Sequence, residues 1–527
     1  MVLCKLGTVG SVLILFGINL INYIDRYTVA AVVADIQNST TSGFDDDISD
    51  ASAALLQTLF IVTYMVASPI FGYFGDRISR TLLLMIGILI WSAATFASSF
   101  APNFILLCFF RSLVGIGEAS YATISPTLIA DLYDEKTRTT VLAYYYVAIP
   151  VGSALGFILG GQFASAFGSW RWAFRITPAF GVILALAQYL FIAEPQRGAS
   201  DGLVVHNEHH SIRAVFQDWK KIVKIHSFTW STIGFTAVTF AAGGLAFWAP
   251  TFVWKITSSS GDPWSKDKSS FVFGAITCAT GLMGTIAGAM LTRRLRVTRG
   301  DAEAIVCAVG LLVSVPLVTA ALFLVDTSLD AMWVLLFFGE CMLFLNWAPV
   351  AAILLSVSPP QLRSSAEGFQ NLVSHMFGDA FSPLLIGAIS DVISDKYNYD
   401  NMSGTPLKYS LQMCSVCILI GAVTFWWSAR TLQADREAVV LALPSATGYA
   451  PLITDRDIPE VDPASKQANY GTAEGQSPLN ASTSSLDPVA RAYHYQSDVQ
   501  TTRRSINRED DDNDESTDAA PLLNGKR

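Results

Sequence analysis

Charge is scarce in this 527-residue chain. Asp, Glu, Lys and Arg together make up 15%, where soluble domains carry about 25%. Apolar residues reach 52% and the mean hydropathy is +0.42. A water-soluble fold has nowhere to hide so much apolar side chain, so a bilayer is the natural solvent. No basic stripe is present either. The net charge is −9, and with sixteen acidic against nine basic residues after Ala434 most of it lies there. A near-neutral body with an acidic end excludes a nucleic-acid binder. The seven cysteines (Cys4, Cys108, Cys278, Cys307, Cys341, Cys414 and Cys417) fall in or beside apolar runs. That is buried-thiol usage, not a disulfide framework, and Cys414-x-x-Cys417 inside such a run reads as packing. Catalytic signatures are missing as well: no G-x-x-x-x-G-K, no H-E-x-x-H and no nucleophile elbow. No enzyme activity, cofactor or metal is expected.

What the chain has is long apolar runs. A spanning helix needs about 20 such residues, and twelve segments qualify: 8–35, 52–75, 81–101, 103–132, 139–167, 171–193, 227–255, 270–292, 301–325, 329–357, 364–392 and 407–432. The first carries Asp25 and Arg26 and has no small-residue cleavage site, so it reads as a span and not a cleavable signal. The expectation is an all-α membrane protein. Its six-helix halves, 1–193 and 227–433, are joined by a linker at 194–226 and followed by a disordered tail at 434–527, rich in Ser, Thr, Asp, Pro and Asn. Within the linker, Ile212, Val215, Phe216, Trp219, Ile222 and Val223 recur at helical spacing beside Lys220, Lys221 and Lys224, as in an amphipathic helix lying on a membrane surface.

Lys and Arg set the orientation. With both termini cytosolic, the inner loops hold Arg77, Arg80, Lys136, Arg138, Arg213, Lys220, Lys221, Lys224, Arg293, Arg294, Arg296, Arg299 and Arg363. The loop at 36–51 has none and holds Asp45, Asp46, Asp47 and Asp50. Sequons at Asn38 and Asn401 then fall on the non-cytosolic side, where glycosylation occurs.

The halves echo one another. Gly72-Tyr73-Phe74-Gly75-Asp76-Arg77-Ile78-Ser79-Arg80 joins spans 2 and 3, and Gly284, Gly288, Arg293 and Arg294 take the same place between spans 8 and 9. Six plus six spans with internal repeats is a transporter plan. The first loop resembles the cytosolic signature of the major facilitator superfamily. Arg111-x-x-x-Gly115-x-Gly117 resembles its second signature, and the run Gly152 to Gly161 its antiporter signature without the usual proline. The resemblance implies two six-helix bundles and a cytosolic gate formed by Gly72, Asp76, Arg77 and Arg80, with Arg138 as a partner for Asp76.

A narrower resemblance covers about 10–435. Asn22-Tyr23-Ile24-Asp25-Arg26-Tyr27-Thr28-Val29-Ala30, Gly115-Ile116-Gly117-Glu118-Ala119-Ser120-Tyr121, Gly339-Glu340 with Asn346-Trp347-Ala348, and Ser374-His375-Met376-Phe377-Gly378-Asp379-Ala380-Phe381-Ser382-Pro383 are similar to the Spinster family. That family's members are lysosomal or cell-surface transporters of lysophospholipids or sphingosine phosphate. A lipid substrate is therefore implied.

Charges at bilayer depth are costly and usually face a cavity. Asp25, Arg26, Arg111, Glu118, Glu340, His375 and Asp379 lie there. On span 1, Asn19, Asn22 and Arg26 share a stripe, with Asp25 turned about 100° away. Arg111 and Glu118 share a face about 10 Å apart along span 4, which favours pairing across helices. Glu367, Asn371, His375 and Asp379 repeat every four residues on span 11. Asp25, Glu118 and His375 are the candidates for proton coupling. Arg26 and Arg111 suit a phosphate, Glu340 suits an ammonium, and Tyr23, Asn346, Trp347 and His375 complete the expected substrate contacts. The alternative is a set of static ion pairs fixing helix register.

The tail carries two sorting patterns. Gly448-Tyr449-Ala450-Pro451-Leu452 is tyrosine-based, and Asp518-Ala519-Ala520-Pro521-Leu522-Leu523 is an acidic dileucine. Read by cytosolic adaptors, they direct a multi-pass monomer to lysosomal or late endosomal membranes. Two alternatives remain open: sphingosine-phosphate export at the cell surface, and a receptor or scaffold without transport.

Overall fold

A computed structural model describes residues 7–75, 77–133, 135–195, 212–259, 265–359, 362–399 and 403–442. Apolar runs this long satisfy their backbone groups only by coiling, and every regular element described is helical. The first half contains α1 (Thr8–Gln37), a short α2 (Ser39–Ser42), α3 (Asp50–Gly75), α4 (Arg80–Ser98), α5 (Phe104–Leu132), α6 (Glu135–Ala166) and α7 (Ala173–Phe191). After α8 (Ile212–Ile222), the second half contains α9 (His226–Ser259), α10 (Lys266–Arg296), α11 (Ala302–Leu324), α12 (Leu329–Phe344), α13 (Trp347–Val357), α14 (Arg363–Ser374), α15 (Phe381–Tyr397), α16 (Thr405–Ser410) and α17 (Gln412–Ala442). Polar side chains start several helices. Asn103 Oδ1 accepts from the Leu106 N–H at 2.9 Å, and Ser265 and Ser328 cap α10 and α12 in the same way.

Twelve helical segments are long and apolar enough to cross a membrane. The tenth and eleventh are not the unbroken α-helices that periodicity suggests. The tenth breaks between α12 and α13, at Leu345 and Asn346. The eleventh passes from α14 to α15 through a π turn, His375–Asp379, where the Ala380 N–H bonds the His375 carbonyl at 2.9 Å. Single π turns inside α-helices occur often at functional sites, and both irregularities sit beside candidate residues.

Small residues set the close packing within each half. A Cβ on Gly156 would lie 2.6 Å from the Ile24 carbonyl of α1, and one on Gly288 would lie 2.1 Å from the Leu345 carbonyl. Only glycine lets these backbones approach so closely. An even number of crossings returns the described chain to its starting side, and the opposite side is termed the distal face.

The bonds joining the halves lie at mid-depth or distally. Thr58 Oγ1 donates to the Ala380 carbonyl at 2.7 Å, Lys255 pairs with Asp50 at 3.1 Å, and Lys266 pairs with Asp35. Toward the terminal side, Val66, Ile70 and Phe74 on α3 and Glu367 and Asn371 on α14 are exposed. The cleft between the bundles opens on the terminal side.

The α3–α4 turn is pinned by charge. Buried Arg80 binds Asp131 at 2.6 Å and donates to the Pro195 carbonyl at 2.9 Å, and its backbone N–H binds Glu194 at 2.7 Å. Burial works against the charge on Glu194. The donors Ser79, Arg80 N–H and Thr81, with the Arg80 charge, outweigh it and hold that carboxyl below the ordinary range. The second half repeats the device: Glu303, fully buried, takes Arg296 at 2.6 Å and Arg436 at 2.9 Å. Helix α8 rests its Trp219 ring 5.4 Å from Phe369 and leaves Phe216 and Lys220 exposed.

Candidate functional site

At mid-depth, α1 presents Asp25 and Arg26 to opposite surroundings. Asp25 turns into the first bundle. Its Oδ2 accepts from Trp91 Nε1 and Thr95 Oγ1, and its Oδ1 from Thr177 Oγ1, all at 3.0 Å. Arg111 Nη1 stands 3.5 Å from the same carboxylate. Three neutral donors and one cation fill this carboxylate, which is 1% exposed.

Arg26 points to the seam between the bundles. Its Nη1 is 3.6 Å from Glu118 on α5, and its Nη2 donates to Asp379 of the π turn at 3.1 Å. His375 Nδ1 lies 3.0 Å from the same Asp379. One guanidinium therefore ties a carboxylate of each half. The Phe60 ring centroid is 5.3 Å from the Arg26 guanidinium carbon and 5.2 Å from that of Arg111, and Tyr23 lies 5.8 Å from Arg26. Cations over ring faces are favoured in dry surroundings. Arg26 Nε and the Arg111 nitrogens lack hydrogen-bond partners of good geometry among the described residues. Arg111 is instead held by the charge of Asp25 3.5 Å away, and Arg26 keeps one buried donor without a hydrogen-bond acceptor of good geometry.

Across the seam, Glu340 is buried and meets no cation among the described residues. Thr277 and Thr280 on α10 donate to it at 3.4 and 3.2 Å. Trp347 meets Phe235 edge-on and Phe344 at a tilt, each with ring centroids 5.3 Å away. Asn346 is fully buried at the helix break and donates to the Leu343 carbonyl at 2.8 Å, leaving its Oδ1 unpartnered.

Asp25 with Arg111, and Arg26 with Glu118, Asp379 and His375, thus form two adjoining clusters that share the Phe60 ring, with Tyr23 at the edge, while Glu340 sits against α10 and Asn346 and Trp347 at the α12–α13 break. Asp379, read from the sequence as one polar position on span 11, is the partner that carries Arg26 across to the second bundle. Phe60, Trp91, Thr95 and Thr177 were invisible as site residues because nothing in their local sequence marks them. Of the expected gate, Gly72 has open space where a Cβ would stand, and Arg77 lies over the Tyr73 ring at 3.6 Å and donates to the Tyr73 carbonyl. Arg80 is locked in its own cluster, with partners Asp131 and Glu194 that the motif alone does not supply. Asp76 and the side chain of Arg138 lie outside the described residues, as do Asn401, Tyr449, Leu452, Leu522 and Leu523. Asn38 stands on the distal face, its Oδ1 accepting from Thr40 N and Oγ1 at 2.9 and 2.6 Å.

Replacing Arg80 with methionine removes the guanidinium 2.6 Å from the half-buried Asp131 and frees the Glu194 and Pro195 contacts of the turn. A loss of about 3 kcal/mol is expected, read as a lower Tm in detergent, whereas an unchanged Tm means that the cluster does not hold the turn.

Residues 15–383 match the family model of the Major Facilitator Superfamily. The chain is 43% identical to protein spinster homolog 1 of Xenopus laevis over 444 residues, covering 82% of each. It is 44% identical to protein spinster of Drosophila melanogaster over 420 residues, 78% of this chain and 67% of that one. The chain belongs to the Spinster family of major facilitator transporters. Its fold matches a bacterial homologue of the human lysosomal transporter Spinster, in the inward-facing and unoccupied conformation, with TM-score 0.69 at 21% identity over 81% of this chain and 98% of that one. A D-xylose–proton symporter shares the fold at TM-score 0.58 and 15% identity, over 80% and 98% of the two chains. Family and fold together make the chain a multi-pass membrane transporter.

Proposed function

We propose that this Spinster-family chain is a secondary transporter that moves lysophospholipids, or related sphingolipids, out of lysosomes by alternating access coupled to protons. The observation that carries the reading is Arg26, bound at mid-depth to a carboxylate of each bundle. A lipid phosphate entering the seam competes with Glu118 and Asp379 for that guanidinium. A carboxylate left without its counter-charge in a dry site is neutralised by a proton. Lipid and proton binding are thereby linked through one arginine. Glu118 has Arg26 at 3.6 Å, with the more distant Arg111 charge and the Asn22 side chain as further support, whereas Asp25 is held by three neutral donors at 3.0 Å besides its cation. Glu118 is therefore assigned the exchanging proton and Asp25 the fixed support of Arg111. His375 relays to Asp379. Glu340 receives the substrate ammonium between Thr277 and Thr280.

The tail of the lipid has a path. An apolar groove of about 470 Å³ lies against Val62, Val66, Ile70, Phe71 and Phe74 on α3 and Ile116 on α5. It starts next to Thr63, one turn from Phe60, and runs about 16 Å along the helix, a length suited to an acyl chain. The two bundles, 1–193 and 227–433, rock as units linked through 194–226, with both termini cytosolic and the distal face luminal. Asp76, Arg77 and Arg138 close the cytosolic side in the opposite state. The name of the solved homologue's human counterpart, a lysosomal transporter, supports the location. Counterflow of radiolabelled lysophospholipid in proteoliposomes tests the reading. Saturable exchange is expected, and non-saturating leakage equal to empty vesicles would remove the carrier.

Sphingosine phosphate also combines a phosphate with an ammonium, so the site chemistry alone favours neither lipid. Location separates the two readings. Deleting residues 444–527 is expected to move the protein from lysosomes to the cell surface while leaving vesicle transport intact, because every described helix, α17 included, ends before residue 444. Lysosomal retention of the truncated protein would show that Tyr449 and Leu522–Leu523 are incidental.

A further inference from the structure

The distal seam is closed by polar groups that neither substrate nor proton needs. Asp50, the first residue of α3, is 8% exposed. Its Oδ1 accepts from Gln37 of α1 at 2.6 Å and from Lys255 of α9 at 3.1 Å, and its Oδ2 accepts from Ser390 of α15 at 2.7 Å. Asp391 answers from the other side. Its two carboxylate oxygens take the backbone N–H groups of Asp50 and Ala51 at 3.0 and 2.9 Å, two donors that the first turn of a helix leaves free. The α3 and α15 backbones touch here: a Cβ on Gly387 would lie 2.7 Å from the Asp50 carbonyl carbon and oxygen.

We propose that Asp50, Lys255 and Asp391 are the gate residues of the distal face, a reciprocal latch that holds the terminal-side-open state and must release before substrate enters from the distal side. Each bundle contributes one acid to a bond with the other. The Lys255 ammonium is buried with Asp50, so the pair cannot separate until water reaches both. A contact biases a conformational equilibrium only when it is made in one state and not the other. Parting of α3 from α15 hydrates all three groups at once, so the latch counts only in the closed distal state. Gly387 allows the approach that brings Asp391 onto the α3 N-terminus. The latch rests on the alternating-access reading, not on which lipid is carried.

Hydrogen exchange by mass spectrometry tests it on the full chain in lipid nanodiscs, for wild type with and without lysophospholipid, and for Asp391→Asn and Gly387→Ala. The first variant weakens the charge and the second wedges the helices. Both are expected to speed exchange about tenfold at the distal ends of α3 and α15, the loss of one hydrogen bond to a charged group. Both should also protect amides at the terminal-side ends of α5 and α14. Faster distal exchange without protection on the other side means a merely local contact and overturns the latch. If wild type responds to lipid reciprocally at the two faces and both variants exchange like wild type without lipid, the latch fails alone. If no condition gives a reciprocal change in wild type, alternating access fails with it.

Discussion

Glu118→Gln is expected to remove the pH dependence of lysophospholipid transport while sparing lipid binding. Glutamine keeps the size of Glu118 and one acceptor oxygen but carries no charge and never exchanges a proton. In the native protein, transport should rise as the luminal side is acidified, because acid supplies the proton that lets Glu118 give up Arg26, and the near-neutral cytosol removes that proton after the bundles rock. With glutamine, Arg26 faces only Asp379, so the rate becomes flat across the same pH range. Asp25→Asn should behave differently. Its partners Trp91, Thr95, Thr177 and Arg111 are buried with it, so the variant loses a carboxylate beside a fully buried guanidinium. The expected outcome is lower Tm and lower transport at every pH, with the slope against pH retained. The reverse pattern, a flat profile for Asp25→Asn and a native slope for Glu118→Gln, would move the exchanging proton to Asp25.

Arg26→Ala should cost the most of any single change, about 100-fold in transport. Truncating one member of a buried, hydrogen-bonded charge pair costs roughly 2–5 kcal/mol. Here one removal leaves Glu118 and Asp379 both without their cation and deprives the lipid phosphate of its fork. Arg26→Lys keeps the charge but reaches one acceptor at a time, so it is expected to recover only part of the loss. Binding of fluorescent lysophospholipid to purified protein separates the causes. A weaker Kd that tracks the lost rate places Arg26 at the headgroup, and an unchanged Kd makes it a coupling residue alone.

Much of this was legible in the chain. Span number and position follow from run length, because a membrane admits few alternatives to a helix. The family followed from several motifs occurring in order. The pairing of charges was less accessible. Arg26 and Asp379 stand 353 positions apart, and no local pattern joins them. Helix geometry already turned Asp25 about 100° from Arg26 but did not show which partners each would meet: one enters the bundle and the other the seam. Helical periodicity also assumed unbroken α-helices, so the break at Asn346 and the π turn at His375 were hidden. Asp50 looked like one more loop acid and Lys255 like a span end. Their meeting depends on how α3, α9 and α15 converge, which single-segment hydropathy does not encode. Asp131 and Glu194 leave a trace in the sequence: an acid ending the fourth apolar run and another following the sixth, each within reach of the first basic loop.

The central claim is that one arginine links lipid to proton across two bundles. Its most direct test is proton movement driven by lipid alone. Proteoliposomes holding a pH-sensitive dye, with equal pH on both sides, are given lysophospholipid on one side. Proton movement in the direction of the lipid is expected for wild type, and none above background for Glu118→Gln. Full lipid transport by wild type with no change in internal pH would contradict the account and leave the charged centre as a headgroup site in an uncoupled carrier.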